Sequence, residues 1–313
     1  MTDPWLSVLM PVYDGATTLP RTLASLKGQC DGVEILAVVQ QSRDGSRSLL
    51  EGAARHLPLR IIDAPESRNW MRNTNIALAE ARAPLASMLH QDDLWRPGRA
   101  IALRKRSAEH PEARLWVHAA DYINADDRII GRAAPPFGRK AALVDSETAV
   151  TRLLVQNTIP LPAAMFRRDD ALQGGGLDED LWYTADWDLW LRLARLGPLS
   201  WAPDPLAAFR IHSSSLTMTG SRDGADFRRQ LSIPVDRHIT ALPAPRAREV
   251  EPLARLSNEL NACLAGAYHG SASGCWRTAA RIVMLGPARW RPFFAYTNII
   301  NRLRPRLRLR GQG

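Results

Sequence analysis

Short apolar runs alternate with amphipathic segments over residues 1–120 of the chain. The apolar runs predict four buried strands, at Leu6–Val12, Val33–Val39, Leu59–Ile62 and Leu85–Leu89. Segments with helical periodicity separate these strands, at Thr17–Lys27, Ser48–Arg55 and Trp70–Ala81. Strands that alternate with helices in this way are typical of βαβ units. We therefore expect an α/β fold with a central, mostly parallel sheet flanked by helices.

The pattern changes in the second half of the chain, where three further segments stand out. An extended proline-interrupted stretch, an amphipathic helix and a last strand are predicted at Ile159–Arg167, Asp186–Leu196 and Leu206–Ile211. Beyond about Gly224 the pattern is helical to the end of the chain. The sequence therefore predicts a single α/β domain over residues 1–224 and a helical, Arg-rich C-terminal extension over residues 225–313.

Composition narrows the class of protein. The 313 residues are 45% hydrophobic and 23% charged, as in ordinary soluble globular proteins, which argues against a disordered chain. Cys30, Cys263 and Cys275 are odd in number and form no Cys-x-x-Cys pair, so we expect a reduced, cytoplasmic chain. No run approaches the ~20 apolar residues of a transmembrane helix. The first residues also lack the pattern of a secretory signal.

The net positive charge of the chain comes from its C-terminal end. Residues 260–313 contain nine arginines and no Asp, Glu or Lys, and subtracting this +9 from the net +9 leaves residues 1–259 neutral. That balance argues against a nucleic-acid-binding protein. Arginines mixed with Trp and Phe over residues 275–313 suit an anionic membrane surface, which would place the protein on the inner face of a membrane. The alternatives are a solvated tail and a helical bundle that packs onto the α/β domain.

Polar residues follow each of the four predicted strands, at Val12–Asp14, Gln40–Ser42, Asp63–Glu66 and His90–Asp93. Ligands of open parallel sheets bind beyond the carboxyl ends of the strands, so we expect the functional site there. The first strand is not followed by G-x-G-x-x-G and the chain has no G-K-[ST], which disfavours Rossmann and P-loop proteins.

Asp92 and Asp93 form the strongest candidate for a metal site. Carboxylates at a strand end suit Mg²⁺ or Mn²⁺, which take oxygen ligands and retain positions for substrate phosphates. Neighbours on an extended chain point to opposite faces, so we expect only one of the two to touch the ion. The alternative is that the pair caps the segment before Pro97.

Six segments, in order, resemble glycosyltransferase family 2 and together cover about residues 5–217. They read LSVLMPVYDGATTLPRTLASL, EILAVVQQSRDGS, RNWMRNTNIALAEA, LHQDDLWRPGR, TADWDLWLRLA and FRIHSSSLT. The resemblance implies a GT-A fold and an inverting, metal-dependent enzyme of polysaccharide biosynthesis. Its donor would be a nucleotide-diphosphate sugar, and its acceptor a hydroxyl of a glycan or lipid-linked molecule. The alternative is a catalytically inactive nucleotide-binding or scaffold protein of the same fold.

The resemblance also implies roles for individual residues. Donor-binding positions are Pro11, Val12, Tyr13, Gln40, Ser42, Arg72, Gln91, Asp92 and Asp93. Asp92 would ligate Mn²⁺ or Mg²⁺, and a second ligand at His212 would favour Mn²⁺. Three positions that are acidic in the family hold Gln40, His90 and Ala185 here. Gln40 still offers a donor and an acceptor to a base, but the uracil preference of the family no longer follows.

On the acceptor side the resemblance singles out Asp186 and Trp187. A sugar hydroxyl is a poor nucleophile and needs a base, and Asp186 matches the family's general base before a Trp-Leu-Arg run. The alternative for Asp186 is a helix N-cap. Trp187 would form a stacking platform for the acceptor sugar, with a place in the core as the alternative. Asp188, two residues further, is expected to be structural.

Overall fold

The structure, a computed structural model, describes residues 3–67, 69–211, 220–271 and 273–310, with side chains of the last helix described to Pro305. Its strands are β1 Leu6–Val12, β2 Val33–Val39, β3 Leu59–Asp63, β4 Leu85–Met88, β5 Leu94–Trp95, β6 Leu115–Ile123, β7 Ile129–Ala133, β8 Ala142–Val144, β9 Ala164–Arg167 and β10 Leu199–Arg210. Short 3₁₀ turns occur at Leu161–Ala163 and Ile239–Ala241.

The helices lie between the strands and after the last of them. They are α1 Leu19–Leu26, α2 Ser46–Ala53, α3 Trp70–Glu80, α4 Arg99–Glu109, α5 Ser146–Val155, α6 Arg168–Gln173, α7 Ala185–Leu196, α8 Gly224–His238, α9 Ala244–Tyr268, α10 Cys275–Met284, α11 Pro287–Thr297 and α12 Ile299–Arg310.

All ten strands belong to one mixed sheet whose main order is β3-β2-β1-β4-β9-β6-β10-β5, with β7 beside β6 and β8 beside β10. The first four strands pair in parallel, as predicted, and the bounds of β1 and β2 agree with the predicted bounds residue for residue. Strand β9 is antiparallel to both β4 and β6. This short strand joins the parallel half to the remaining strands, and the α/β prediction is confirmed.

Alternation along β1 divides the core into two layers. All seven residues of β1 are buried, as its unbroken apolar run requires. Val8 and Met10 pack in one hydrophobic cluster, whereas Leu9 packs in the cluster on the opposite face. Helices therefore cover both faces of the sheet, and the polar segments after the strands are left at one edge.

The C-terminal extension packs onto the α/β domain. Phe227 and Leu231 of α8, Leu253 of α9 and Phe293 of α11 are buried in the same cluster as residues of α5 and α7. For these three helices, the structure therefore supports the alternative of a helical bundle that packs onto the α/β domain. None of the helices in the described ranges is both long and apolar enough to cross a membrane.

The expectation that the cysteines are reduced is wrong for two of the three. Cys263 of α9 and Cys275 of α10 form a disulfide, with their Cα atoms 5.4 Å apart. An odd count without a Cys-x-x-Cys motif does not reveal that two helices bring distant cysteines together. Cys30 is a free thiol, and burial raises its pKa to about 11.

Candidate functional site

A cleft of about 730 Å³ opens at the carboxyl ends of β1, β2 and β4. Its walls also include the start of α3, residues 156–161, the start of α7, the end of β10 and one residue of α12. The predicted residues that line it are Pro11, Val12, Tyr13, Gln40, Gln91, Asp92, Asp93, Asp186 and Trp187. The segment after β3 is not part of the lining, so only three of the four predicted strand ends meet here.

Gln91 holds the segment after β1 in place. Its side-chain oxygen accepts a hydrogen bond from the Tyr13 backbone N–H at 2.8 Å, and its Nε2 donates to the Tyr13 carbonyl at 2.7 Å. A Cβ on Gly15 would lie 2.4 Å from the same side-chain oxygen, so a larger residue at position 15 would have to displace the Gln91 side chain. Tyr13 lines the cleft and is 52% exposed.

Ser42 and Arg72 do not line the cleft. The Ser42 hydroxyl accepts a hydrogen bond from the Asp14 backbone N–H at 3.1 Å and so supports the segment after β1. Arg72 is exposed in the first turn of α3, and its backbone N–H donates to the side chain of Asn69, the N-cap. Gln40 does line the cleft, and its side-chain oxygen accepts from Asn73 at 3.4 Å.

Asp92 and Asp93 have different environments. Asp93 is 1% exposed, and its Oδ1 accepts from the Arg210 backbone N–H at 2.9 Å. Burial, followed by the charge of Asp92, raises the pKa of Asp93 well above its ordinary value. Asp92 is partly exposed, and Arg210 Nε donates to its carbonyl at 2.8 Å. The carboxylate that the turn offers to a ligand is therefore that of Asp92.

The donor set for a metal is small. No three Asp, Glu, His or Cys side chains come together among the residues that the structure describes, and His212, the predicted second ligand, lies outside those residues. Asp92 suits an ion of the Mg²⁺ type, which is commonly held by one or two carboxylates together with substrate phosphates.

His90 occupies one of the three positions at which the resemblance leads us to expect an acidic residue. Burial lowers the pKa of its imidazole, so the ring is neutral near pH 7. It packs edge-on against Trp70, with ring centroids 5.1 Å apart. Its Nε2 is buried and has no hydrogen-bond partner in the described part of the chain. A carboxylate in this buried position would pay a large desolvation penalty, and the histidine avoids it.

Asp186 is the second residue of α7, and the N-cap of that helix is Thr184. The Asp186 carboxylate accepts from Asn157 Nδ2 at 3.0 Å and from the Trp187 backbone N–H at 2.8 Å. Burial raises its pKa to about 6, in spite of these hydrogen bonds. The cleft is therefore lined by a carboxyl group whose pKa of about 6 lies well above that of an ordinary aspartate.

The stacking role predicted for Trp187 is wrong in this structure. The indole is 1% exposed, and its Nε1 donates to the Leu153 carbonyl at 2.7 Å, so neither ring face is open to a sugar. Its neighbour Asp188 is structural, as expected. It is buried and bonds to Arg192 and His238, each at 2.9 Å. The more exposed aromatic rings of this wall belong to Trp182 and Tyr183.

Comparison with known proteins identifies the family. The sequence profile of Glycosyl transferase family 2 matches residues 7–172, more than half of the 313 residues. The chain belongs to glycosyl transferase family 2. It is 29% identical to an uncharacterized protein of Mycobacterium tuberculosis, over 69% of this chain and 70% of that protein. It is also 21% identical to an uncharacterized glycosyltransferase of Rickettsia typhi, over 69% of this chain and 67% of that protein.

Solved structures of glycosyltransferases share the fold. TarS 1–349 of S. aureus in complex with UDP-GlcNAc aligns with a TM-score of 0.66 and 15% identity, over 93% of this chain and 79% of that chain. The mannosyltransferase PcManGT of Pyrobaculum calidifontis, in complex with GDP-Man and Mn²⁺, aligns with a TM-score of 0.55 and 18% identity. That alignment covers 98% of this chain and 87% of the other. This family 2 chain therefore has the GT-A fold.

The sequence did not reveal several residues of the cleft. Asn157 contacts Asp186, Arg210 holds the Asp92–Asp93 turn, and Arg302 arrives from the C-terminal helix. The role of Asn69 could have been predicted from the local sequence. Asparagine is a common N-cap, and its side chain then accepts a hydrogen bond from a backbone N–H in the first turn of the helix. The others act over long sequence separations and leave no local pattern.

Proposed function

We propose that this glycosyltransferase is an inverting enzyme that moves a sugar from a nucleotide-diphosphate donor to a hydroxyl of a glycan or lipid-linked acceptor, with the aid of a divalent cation. The observation that carries the proposal is that one cleft is lined both by the Asp92 turn and by Asp186. The two carboxylates belong to different walls, one after β4 and the other on α7. This arrangement suits a reaction with a leaving group at one side and a nucleophile at the other.

The donor would lie along the ends of β1, β2 and β4. Tyr13 offers an aromatic face, and the Gln40 amide offers a donor and an acceptor to the base. When a divalent ion is bound, it neutralises negative charge on the departing diphosphate. Asp92 would hold that ion, and the Gln91 and Arg210 hydrogen bonds described above would keep the Asp92 turn in one position.

The acceptor would approach from the α7 wall. Asp186 takes the proton of the attacking hydroxyl, the new bond forms at the anomeric carbon, and the bond to the diphosphate breaks. A base with a pKa of about 6 is ionised at pH 7 and is still basic enough to receive a proton in the transition state. Asn157 orients the carboxylate for this transfer.

A scaffold without transfer activity is the second candidate. The non-acidic residues His90 and Ala185, at positions that are acidic in the family, favour it. This candidate predicts binding of a nucleotide without turnover, whereas the transferase predicts both.

A panel of sugar nucleotides separates the two candidates. We expect at least one donor to raise the melting temperature in the presence of Mn²⁺ or Mg²⁺, and to be hydrolysed or transferred slowly under the same conditions. UDP-GlcNAc and GDP-mannose are the first to try, because neighbouring structures contain them. Stabilisation without turnover of any donor or acceptor would favour the scaffold. No stabilisation by any nucleotide would contradict both.

We further propose that the extension binds an anionic membrane surface. Trp276 and Met284 are 70% and 83% exposed on α10, and Val283 is exposed on the same face. Arg277 lies over the Trp276 ring on the same helix, whereas Arg281 pairs with Glu259, the last acidic residue of the chain. Apolar side chains flanked by arginines suit the boundary between anionic headgroups and acyl chains.

Point variants test this surface better than removal of residues 275–313, because the extension also contributes to the core. We expect Trp276→Ser with Met284→Ser to lower partitioning onto phosphatidylglycerol vesicles at least about tenfold, from the loss of buried apolar area. Ile101→Ser on α4 is the control, since Ile101 is 77% exposed outside the extension. Equal partitioning onto phosphatidylcholine vesicles, or no effect of the double change, would contradict the proposal.

A further inference from the structure

Helix α9 of the C-terminal extension has two buried polar residues, Ser257 and Asn261, one helical turn apart. The other buried residues of this helix are apolar and pack onto the α/β domain; they are Val250, Leu253, Ala254 and Leu256. Buried polar groups must be hydrogen-bonded, and a polar network fixes one arrangement more strictly than apolar packing does. The bonds that Ser257 and Asn261 make therefore indicate what they hold in place.

Both residues bond to Gln156, which lines the cleft directly after α5. Ser257 Oγ donates to Gln156 Oε1 at 3.1 Å, and Asn261 Nδ2 donates to the same oxygen at 2.8 Å. With its oxygen held by two donors, the buried Gln156 side chain directs its Nε2 to the Asn157 carbonyl, at 3.2 Å. Gln156 thus connects this wall of the cleft with α9.

The partners along this path determine which way each amide faces. A guanidinium has only N–H donors, so the Asn261 atom that faces Arg302 Nη2 at 2.9 Å is the oxygen, which leaves the Asn261 nitrogen to donate. The Asn157 oxygen accepts from the Ile159 backbone N–H at 3.2 Å, so its nitrogen donates to Asp186 Oδ2, at 3.0 Å. Turning either amide over would lose the hydrogen bonds at both of its ends.

The last bond of the path acts on the proposed base. Burial raises the pKa of the Asp186 carboxyl to about 6, and the hydrogen bond from Asn157 opposes that rise because it stabilises the charged form. The same bond sets the direction in which the carboxylate points, and misplacement of a reacting group by about 1 Å can lower a rate about a hundredfold. The position of Asn157 therefore affects both the ionisation and the orientation of Asp186.

We propose that Ser257 and Asn261 of α9 are positioning residues for the proposed base, Asp186. They hold Gln156, whose bond to the Asn157 carbonyl keeps the Asn157 side chain within reach of the carboxylate. Both act through these two amides. This inference rests on the proposed function, because it concerns the base of that reaction. It gives the C-terminal extension a part in catalysis besides its contribution to the core.

The test removes both α9 donors and follows the Asp186 carboxyl directly. In Ser257→Ala with Asn261→Leu, Gln156 Oε1 loses both partners while the side-chain volumes change little. We expect Asp186 to titrate at higher pH than in the wild type, because a less firmly held Asn157 stabilises the carboxylate less. The measurement is ¹³C NMR of protein labelled in its aspartates, with the signal assigned by its loss in Asp186→Asn. Transfer at pH 7 should fall at least about tenfold, with unchanged nucleotide affinity.

Two further variants separate this role from packing. Asn258→Leu is the matched control on the same helix, since Asn258 Nδ2 donates to the Leu231 carbonyl of α8 at 2.7 Å and not to the amide path. It should leave the titration of Asp186 and the transfer rate unchanged. Asn157→Ala removes the bond to Asp186 itself, so adding the two α9 changes to it should cause no further change in the titration.

An Asp186 titration that is the same in the α9 double variant and the wild type would overturn the inference. So would an equal change in Asn258→Leu, or a further change in the Asn157→Ala background. If the double change prevents folding, Ser257→Ala alone removes one of the two donors and should give a smaller change in the same direction. A wild type that transfers no sugar would overturn the proposed function, whereas the NMR titration decides this inference whether or not any donor and acceptor react.

Discussion

Asp186→Asn should lower the rate of sugar transfer by about 10²–10⁴-fold, the range expected when a general base is removed. The amide keeps the size of the side chain and still accepts a hydrogen bond, but it takes no proton from the acceptor hydroxyl. Donor affinity should not change, because Asp186 lies on the α7 wall. The measurement is the transfer rate at saturating donor and acceptor, together with nucleotide affinity by calorimetry.

The same variant should not lose stability at pH 7. Burial raises the pKa of Asp186 to about 6 in the folded protein, so the folded state favours the uncharged form of this group. A neutral amide therefore removes a cost of burying charge, and its melting temperature should equal or exceed that of the wild type. A purely structural role predicts the opposite combination, with lower stability and retained activity. Asp31→Asn, at an exposed position before β2, is the control for both measurements.

The rate should also depend on pH through this group. With a pKa of about 6, Asp186 is mostly ionised at pH 7 and mostly protonated at pH 5. A base that must be ionised then predicts a transfer rate that is constant above pH 7 and falls about tenfold per pH unit below 6. Asp186→Asn should abolish this acidic limb. A limb that persists in the variant would assign the pH dependence to another group.

Asp92→Asn should weaken metal-dependent binding of a nucleotide diphosphate at least about tenfold. Loss of a residue that only hydrogen-bonds to a metal ligand already lowers metal affinity by about this factor, and Asp92 would be a ligand itself. The physical reason is the small set of metal-binding side chains among the described residues of the cleft. Asp92 is the partly exposed carboxylate of its turn, whereas Asp93 is buried and bonded to the Arg210 backbone. The affinity is measured by calorimetry with Mn²⁺ and again with a chelator.

In the presence of the chelator, the wild type and Asp92→Asn should bind the nucleotide equally weakly, because neither then holds the ion. Asp31→Asn again serves as the control, since it removes one negative charge away from the cleft. A wild type whose nucleotide affinity is the same with and without metal would contradict the role of Asp92. It would leave the role of Asp186 intact. The two variants therefore test the two walls of the cleft separately.

Much of the fold follows from local pattern. An unbroken apolar run such as Leu6–Val12 is buried in any α/β arrangement, and its parallel pairing follows from the helices on either side. The strands from β5 to β8 were harder to predict, because they are short or belong to antiparallel pairs. The extended stretch predicted at Ile159–Arg167 contains β9, but only its last four residues form the strand. Strand β9 has only four residues, and what makes it a strand is its position between β4 and β6. Sequence periodicity does not report such a neighbour.

The functional site, like the fold, could be predicted from the sequence only in part. The sequence alone determined which residue types follow the strands, so Tyr13, Gln40 and Asp92 were predicted to meet at one edge of the sheet, and they line one cleft. Only the tertiary structure decided that Asp93 and Trp187 are buried, because burial depends on which distant segment covers a side chain.

Arg302 shows most clearly what local sequence does not reveal. Its sequence neighbourhood is a basic tail, and nothing in that composition relates it to Asp186, 116 residues earlier. Packing of α12 on β7 and a chain of amide hydrogen bonds bring the two to one wall. Local sequence determines the elements, because helix and strand formation depend on near neighbours. The tertiary structure decides the electrostatics of the cleft, because charge and burial depend on distance in space.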